Sequence, residues 1–156
     1  HLHPEQDDAL IAHYARHCPL VVKEAEDKEA ILPGRVYFAP PDYHLLMERD
    51  RTFSLSRDEK VQHARPSIDV LFETAAETYG AGLAGVILTG ANADGARGLA
   101  RVRELGGLTL VQDPNQAQHT AMPLAAIAAA TPHAVLELDK ISQLLRGLAY
   151  GNQTTR

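Results

Sequence analysis

"LAGVILTGANADGARGLARVRELGGLTLVQ", residues 83–112, decides the fold. "LAGVILTG" is a short, nearly continuous apolar run, the pattern of a strand buried on both faces. "DGARGLARVRELGG" is predicted to be a helix closed by Gly106-Gly107. "LTLVQ" is predicted to be the next strand, stopped by the turn signal "DPN". The segments on either side extend the pattern. Upstream, "RPSIDVLFETAAETYG" places Ile68, Leu71, Phe72, Ala75, Ala76 and Tyr79 on one helical face. Pro66 suits its first turn and Gly80 its C-terminal end. Downstream, "MPLAAIAAA" predicts a helix, "HAVLEL" a strand and "KISQLLRGLAY" a last helix. From residue 66 the order is α-β-α-β-α-β-α, which implies a parallel sheet with helices on both faces.

The region before residue 58 has a different texture. "PLVVKEA" and "GRVYFAP" read as strands around a Pro33-Gly34 turn, and "HLLMERD" and "RTFSLSRD" as a second pair around Asp50-Arg51. Short connections there predict hairpins and antiparallel pairing. "EQDDALIAHYARHC" predicts a helix burying Leu10, Ile11, Tyr14 and Cys18, with Cys18 in the core. The expected fold class is therefore α/β: a doubly wound, mainly parallel sheet with helices on both faces and an inserted antiparallel hairpin region. Residues 1–150 form one expected domain, and 151–156 a tail.

The chain has 156 residues, a formal net charge of −5 and one cysteine. It can hold neither an internal disulfide nor a basic surface run able to neutralise phosphates. Nucleic acid is not an expected partner, and no apolar run is long enough for membrane insertion. A reducing, cytoplasmic setting fits the cysteine usage.

Three chemistries fit "LTGANADGARGL", residues 88–99. A phosphate cradle would use the glycines and a helix N-terminus. The stretch, however, lacks the G-x-G-x-x-G spacing and the P-loop lysine, and Asp94 would repel the phosphate. Asp94 could instead be a plain helix N-cap, with Gly90, Gly95 and Gly98 making the turn. It could also be an acid at the carboxyl edge of a parallel strand, where ligands of open α/β sheets bind. That role needs a histidine to orient and a nucleophile. On this stretch alone the N-cap reading suffices.

Further motifs change the balance. "HLHP" (1–4), "LPGRVYFAPPDYHLL" (32–46), "ARPSIDVLFETAAETYG" (64–80), "GVILTGANADGARGL" (85–99) and "GGLTLVQDPNQAQHTAMPLAAI" (106–127) occur in this order. Together they resemble the catalytic domain of the protein-glutamate methylesterases of bacterial chemotaxis, along nearly the whole chain. The resemblance implies hydrolysis of γ-glutamyl methyl esters on chemoreceptor helices by a Ser-His-Asp triad, with no cofactor and no metal. It aligns Asp94 with the triad acid and His1 with the triad histidine, His3 being the competitor. It puts the backbone N–H of Ala91 in the oxyanion hole, at a position where the family carries Met.

The family's serine lies in a loop upstream of the histidine, so it falls outside this sequence. Ser54, Ser56, Ser67 and Ser142 all lack the sharp strand-to-helix setting of a nucleophile. An α-amino group directly on His1 would disfavour the imidazolium the mechanism needs. The sheet would also lack a central strand. The chain is therefore expected to be N-terminally incomplete. The resemblance also implies association with a receiver domain or a receptor methyltransferase domain. The alternative function is a non-catalytic methylesterase-like module of a larger two-component signalling protein. A third reading is a small nucleotide-binding protein.

Other residues have plainer expectations. His1 and His3 share a strand face but have no metal-completing neighbours. His44 and His63 read as surface residues, and His119 as a loop residue near the site. Arg65 and Asp69 read as charges and caps at a helix N-terminus.

Overall fold

The computed structural model describes residues 7–151 of the chain. Its elements are α1 (Asp7–His17), β1 (Val21–Glu24), β2 (Arg35–Phe38), β3 (His44–Met47) and β4 (Phe53–Ser56), then α2 (Ile68–Tyr79) with a 3₁₀ turn at Gly80–Gly82. The alternating half follows as β5 (Ala84–Ile87), α3 (Ala96–Glu104), β6 (Leu108–Gln112), α4 (Ala121–Ala130), β7 (Ala134–Leu136) and α5 (Leu138–Gly151). The last helix thus takes in Gly151, the first residue of the expected tail.

Strands β5, β6 and β7 lie side by side in sequence order and are all parallel. Ile87 stands opposite Val111 in the register, and both turn toward α3 and α4. There they meet Leu99, Met122, Ala126 and Ala130, all buried. The side-chain period of two sends Leu110 to the opposite face. Leu110 is fully buried, and Ile141 of α5, which packs on β6, is nearly so. Helices therefore cover both faces, as the alternation predicts.

The first half departs from expectation. β1 and β2 pair parallel, not as a hairpin, with Val22 opposite Val36. The linking stretch 25–34 makes this possible by leaving the sheet and pairing elsewhere. The Lys28 N–H donates to the Phe53 carbonyl at 2.9 Å, and the Phe53 N–H to the Glu29 carbonyl at 2.8 Å. The Ile31 N–H donates to the Arg51 carbonyl at 2.9 Å. The chain then returns beside β1 in the same direction. Only β3 and β4 form the expected antiparallel pair.

The face expected to bury α1 is only partly covered. Leu10, Ile11 and Cys18 are half-buried, and Tyr14 is exposed with its ring 5.9 Å from that of Phe38. Cys18 is therefore not a core cysteine. Among the described residues α1 packs on β1, which pairs only with β2, so the surface beneath the helix is narrow.

Helix α2 joins the two halves. Ile68 and Phe72 pack into the core around Ile87 and Leu99. Leu71 packs into a second core around Ala25, Leu45 and Phe53. Thr74 Oγ1 accepts from the Met47 N–H at 3.1 Å, so α2 also seals an edge of β3. Pro66 precedes this helix instead of opening it, because Ser67 is the N-cap.

Helices α2 and α3 come into close contact at Gly98. A Cβ there would stand 2.7 Å from Phe72 Cβ and 3.0 Å from the Asp69 backbone. Gly147 in α5 has no atom within 4 Å of such a Cβ. Gly98→Ala is therefore expected to destabilise the fold by about 1–3 kcal/mol through overpacking. Gly147→Ala should instead raise stability by about 0.5–1 kcal/mol, the helical advantage of Ala over Gly. Urea unfolding of the two variants checks both signs.

Candidate active site

The carboxyl ends of β5 and β6 are tied together before any functional side chain is placed. Gln112, at the end of β6, is buried, and its Oε1 accepts the Thr89 N–H at 2.8 Å. Thr89 Oγ1 accepts from the His119 N–H at 2.8 Å and donates to the His119 carbonyl at 3.2 Å. The Gly90 N–H donates to the same carbonyl at 3.1 Å, and the Met122 N–H to the Gly90 carbonyl at 3.0 Å. The loop 88–95 is thus stitched to the loop 113–120 and to the first turn of α4. His119 contributes to this edge through its backbone, while the residue itself is exposed.

Ala91 follows directly. It is exposed, and nothing among the described residues accepts its N–H. Asn92 Oδ1 then accepts the Asp94 N–H at 3.0 Å, a local Asx turn that starts the descent into α3. Gly95 takes the N-cap position of α3 with φ 94°. A side chain there would also meet Ile87 Cδ1 at 2.7 Å and Ile68 Cγ2 at 2.8 Å, so glycine is required twice over.

Asp94 is fully buried, and its carboxylate turns away from its own helix. Oδ1 accepts from Ser67 Oγ at 2.7 Å and from the Asp69 N–H at 3.0 Å, while Oδ2 accepts from the Ile68 N–H at 2.7 Å. The plain N-cap reading is thereby corrected. Asp94 caps α2, a helix some 25 residues upstream, where the dipole favours a negative group. Local capping of α3 is unavailable to it because Gly95, not Asp94, occupies the cap position.

Asp69 completes the exchange in the other direction. It is buried, and its Oδ1 accepts the Gly98 N–H of α3 at 2.7 Å. Each helix therefore has an N–H group satisfied by an acid lying at the start of the other. Burial pushes the Asp69 carboxyl above its ordinary range; the Gly98 N–H opposes this, and the nearby Asp94 charge adds to it.

Arg65 does not serve the helix terminus as expected. Its guanidinium pairs with Asp42 at 2.6 Å and donates to the carbonyls of Arg57 and Asp58 at 2.9 and 3.0 Å. That pairing, chiefly the hydrogen bond from Arg65, holds the Asp42 carboxyl below its ordinary range.

His44 is the second correction. It is 2% exposed, not a surface residue. Its Nδ1 accepts the Ser67 N–H at 3.2 Å, and its Nε2 donates to the Glu59 carbonyl at 3.0 Å. Serine, histidine and aspartate thus meet at Ser67, but not as a nucleophilic triad. The serine hydroxyl is given to the aspartate, and the imidazole holds a backbone N–H. No composition signal marked His44, since a strand-opening histidine before two leucines reads equally well as exposed. The capping role of Ser67 was missed as well, although a serine directly before the first apolar-periodic residue is a signal for it.

His1 and His3 lie outside the described residues. Among the described residues, no group of three or more His, Cys, Asp or Glu is placed to hold a metal ion. No helix among them is long and apolar enough to cross a membrane.

Comparison with known proteins adds to this geometry. A family profile described as CheB methylesterase matches residues 1–145. A Leptospira interrogans protein, named for protein-glutamate methylesterase and protein-glutamine glutaminase, is 55% identical over 139 residues. The match covers 89% of this chain and 72% of that protein. A similarly named Cupriavidus pinatubonensis protein is 43% identical over 144 residues, which span 40% of its length. The crystal structure of the Thermotoga maritima CheB methylesterase catalytic domain superposes with a TM-score of 0.89 at 34% identity. That superposition covers 95% of this chain and 80% of that one.

The raised Asp69 carboxyl has a definite consequence for stability. The folded protein holds that proton more tightly than the unfolded chain, whose aspartates titrate at about 3.9. This contribution therefore falls as pH rises from the unfolded value to the raised one, and stays low above it. In Asp69→Asn the amide oxygen can still accept the Gly98 N–H, while the like charge beside Asp94 is gone. Urea unfolding followed from acidic to neutral pH should show that decline removed and neutral stability at least equal to the parent. A less stable variant at neutral pH would show that the Asp69 charge is needed.

Proposed function

The chain belongs to the CheB methylesterase family, and on that footing we propose that it forms the catalytic domain of a protein-glutamate methylesterase. Residues 1–150 make up the domain in this reading, and 151–156 a short tail. The substrates are γ-glutamyl methyl esters on chemoreceptor helices in the cytoplasm. The observation that carries the reading is the buried Asp94 carboxylate, held by three donors from the start of α2 in the loop that follows β5.

The proposed chemistry is acyl transfer. A serine upstream of His1 attacks the ester carbonyl, and His1 takes the serine proton. Asp94 holds the His1 ring in the correct tautomer and stabilises its protonated form. The Ala91 N–H donates to the oxyanion of the tetrahedral intermediate. A backbone donor is indifferent to the change from Met to Ala, whereas the wall of the pocket loses volume. Methanol leaves with the proton from His1. Water, activated by the same ring, releases the glutamate carboxylate. The relatives' paired name fits one route, since ester and amide differ only in the leaving group. Methylated chemoreceptor helices are the proposed partners, with a receiver domain or receptor methyltransferase domain as further ones.

Methanol release from a methyl-esterified receptor fragment tests the assignment in the intact protein. Asp94→Asn should lower turnover by about 10⁴, the loss seen when the triad acid of a serine protease becomes its amide. His1→Ala should cost at least as much, and the double variant no more than His1→Ala alone, because triad members act as a unit. Thermal unfolding run in parallel separates lost chemistry from a lost helix cap. Full activity in a folded Asp94→Asn protein would remove Asp94 from the mechanism.

A further inference from the structure

Resting on the reading of Asp94 as the triad acid, we infer that Ser67 and His44 are positioning residues for it. The Ser67 hydroxyl aims the Asp94 carboxylate, and the buried His44 ring fixes where Ser67 stands.

The hydroxyl has one proton, and a carboxylate can only accept. At 2.7 Å the Ser67 proton belongs to Asp94. The capping bond that Ser67 Oγ accepts from the Val70 N–H is 3.5 Å long, at the limit of a hydrogen bond. Ser67 therefore serves the acid more than it serves its own helix. Asp94 needs this help, because it sits on a loop beside Gly95 and not within a strand or helix.

His44 is locked by the same logic. The Ser67 N–H can only donate, so Nδ1 accepts; the Glu59 carbonyl can only accept, so Nε2 carries the proton. Both ring nitrogens are engaged in one neutral tautomer. Ser67, His44 and Asp94 are each at most 2% exposed, so water cannot replace a lost partner cheaply. The start of β3 and the loop at Glu59 thereby set the height of the α2 N-terminus, and with it the angle of the acid. The inserted hairpin region acquires a role in the reaction without touching substrate.

The test uses the intact protein with a methyl-esterified receptor fragment, reading kcat and KM separately and following unfolding by circular dichroism. Ser67→Gly keeps an acceptable N-cap but loses the hydroxyl. It should lower kcat by about 10–100-fold, the cost of misplacing a group by about an ångström, with KM unchanged. The two amide variants of His44 then divide its bonds. Asn places an acceptor where Nδ1 stands and gives up Glu59; Gln reaches Glu59 and gives up the Ser67 N–H. The positioning route requires His44→Asn to retain more kcat than His44→Gln.

An unchanged kcat in Ser67→Gly, with Asp94→Asn inactive, overturns the positioning role and leaves the acid in place. Full activity in Asp94→Asn overturns the underlying reading instead. Should Ser67→Gly not fold, the histidine pair decides: equal kcat values, or a more active Gln variant, overturn the proposal.

Discussion

The structure depends on an exchange of acids between two helix N-termini. Asp94, at the start of α3, receives N–H groups of α2, and Asp69, in the first turn of α2, receives the Gly98 N–H of α3. Helix starts carry N–H groups without intrahelical partners, and burying them unpaired is costly. Here both starts are buried against each other, so each must supply what the other lacks. The exchange is feasible only because Gly98 lets the backbones meet. Burial raises the Asp69 carboxyl, and the like charge of Asp94 beside it adds to that rise. That repulsion accompanies a gain in precision, since α2 is the element that packs into both cores.

Precision at α2 is what the candidate site requires. The family chemistry asks one carboxylate at a sheet edge to hold a ring in a single orientation. In this chain the Asp94 carboxylate takes its donors from a helix terminus, not from the loop that carries it. The same junction shows why composition does not identify a triad. His44, Ser67 and Asp94 are a histidine, a serine and an aspartate in hydrogen-bond contact, all buried. Their donor and acceptor directions exclude the serine as nucleophile, because its proton points at the acid and the ring is engaged with the backbone.

The alternating half of the fold was legible in the sequence because its signals are local. The apolar run ending at Ile87, the glycine pair at 106–107 and the spacing from Ile68 to Tyr79 each read within one element. The middle region was not legible in the same way. Parallel pairing of β1 and β2 depends on where the stretch 25–34 goes, and it goes to Phe53 and Arg51. That partnership is decided by contacts far along the chain. The fate of α1 was hidden for a similar reason: its apolar spacing is sound, but among the described residues the sheet beneath it pairs β1 with β2 alone.

Sequence alone determined the fold class, the family and the candidate acid at 94, because glycine spacing, apolar periodicity and motif order are properties of the chain. Tertiary structure alone decided what Asp94 holds, what holds Asp94, and that His44 is buried. A hydrogen bond joins atoms that are neighbours in space. The groups that hold the Asp94 carboxylate, at residues 67–69, and His44, which holds the Ser67 N–H, come together only when the hairpin region, α2 and the β5–α3 loop close on one another.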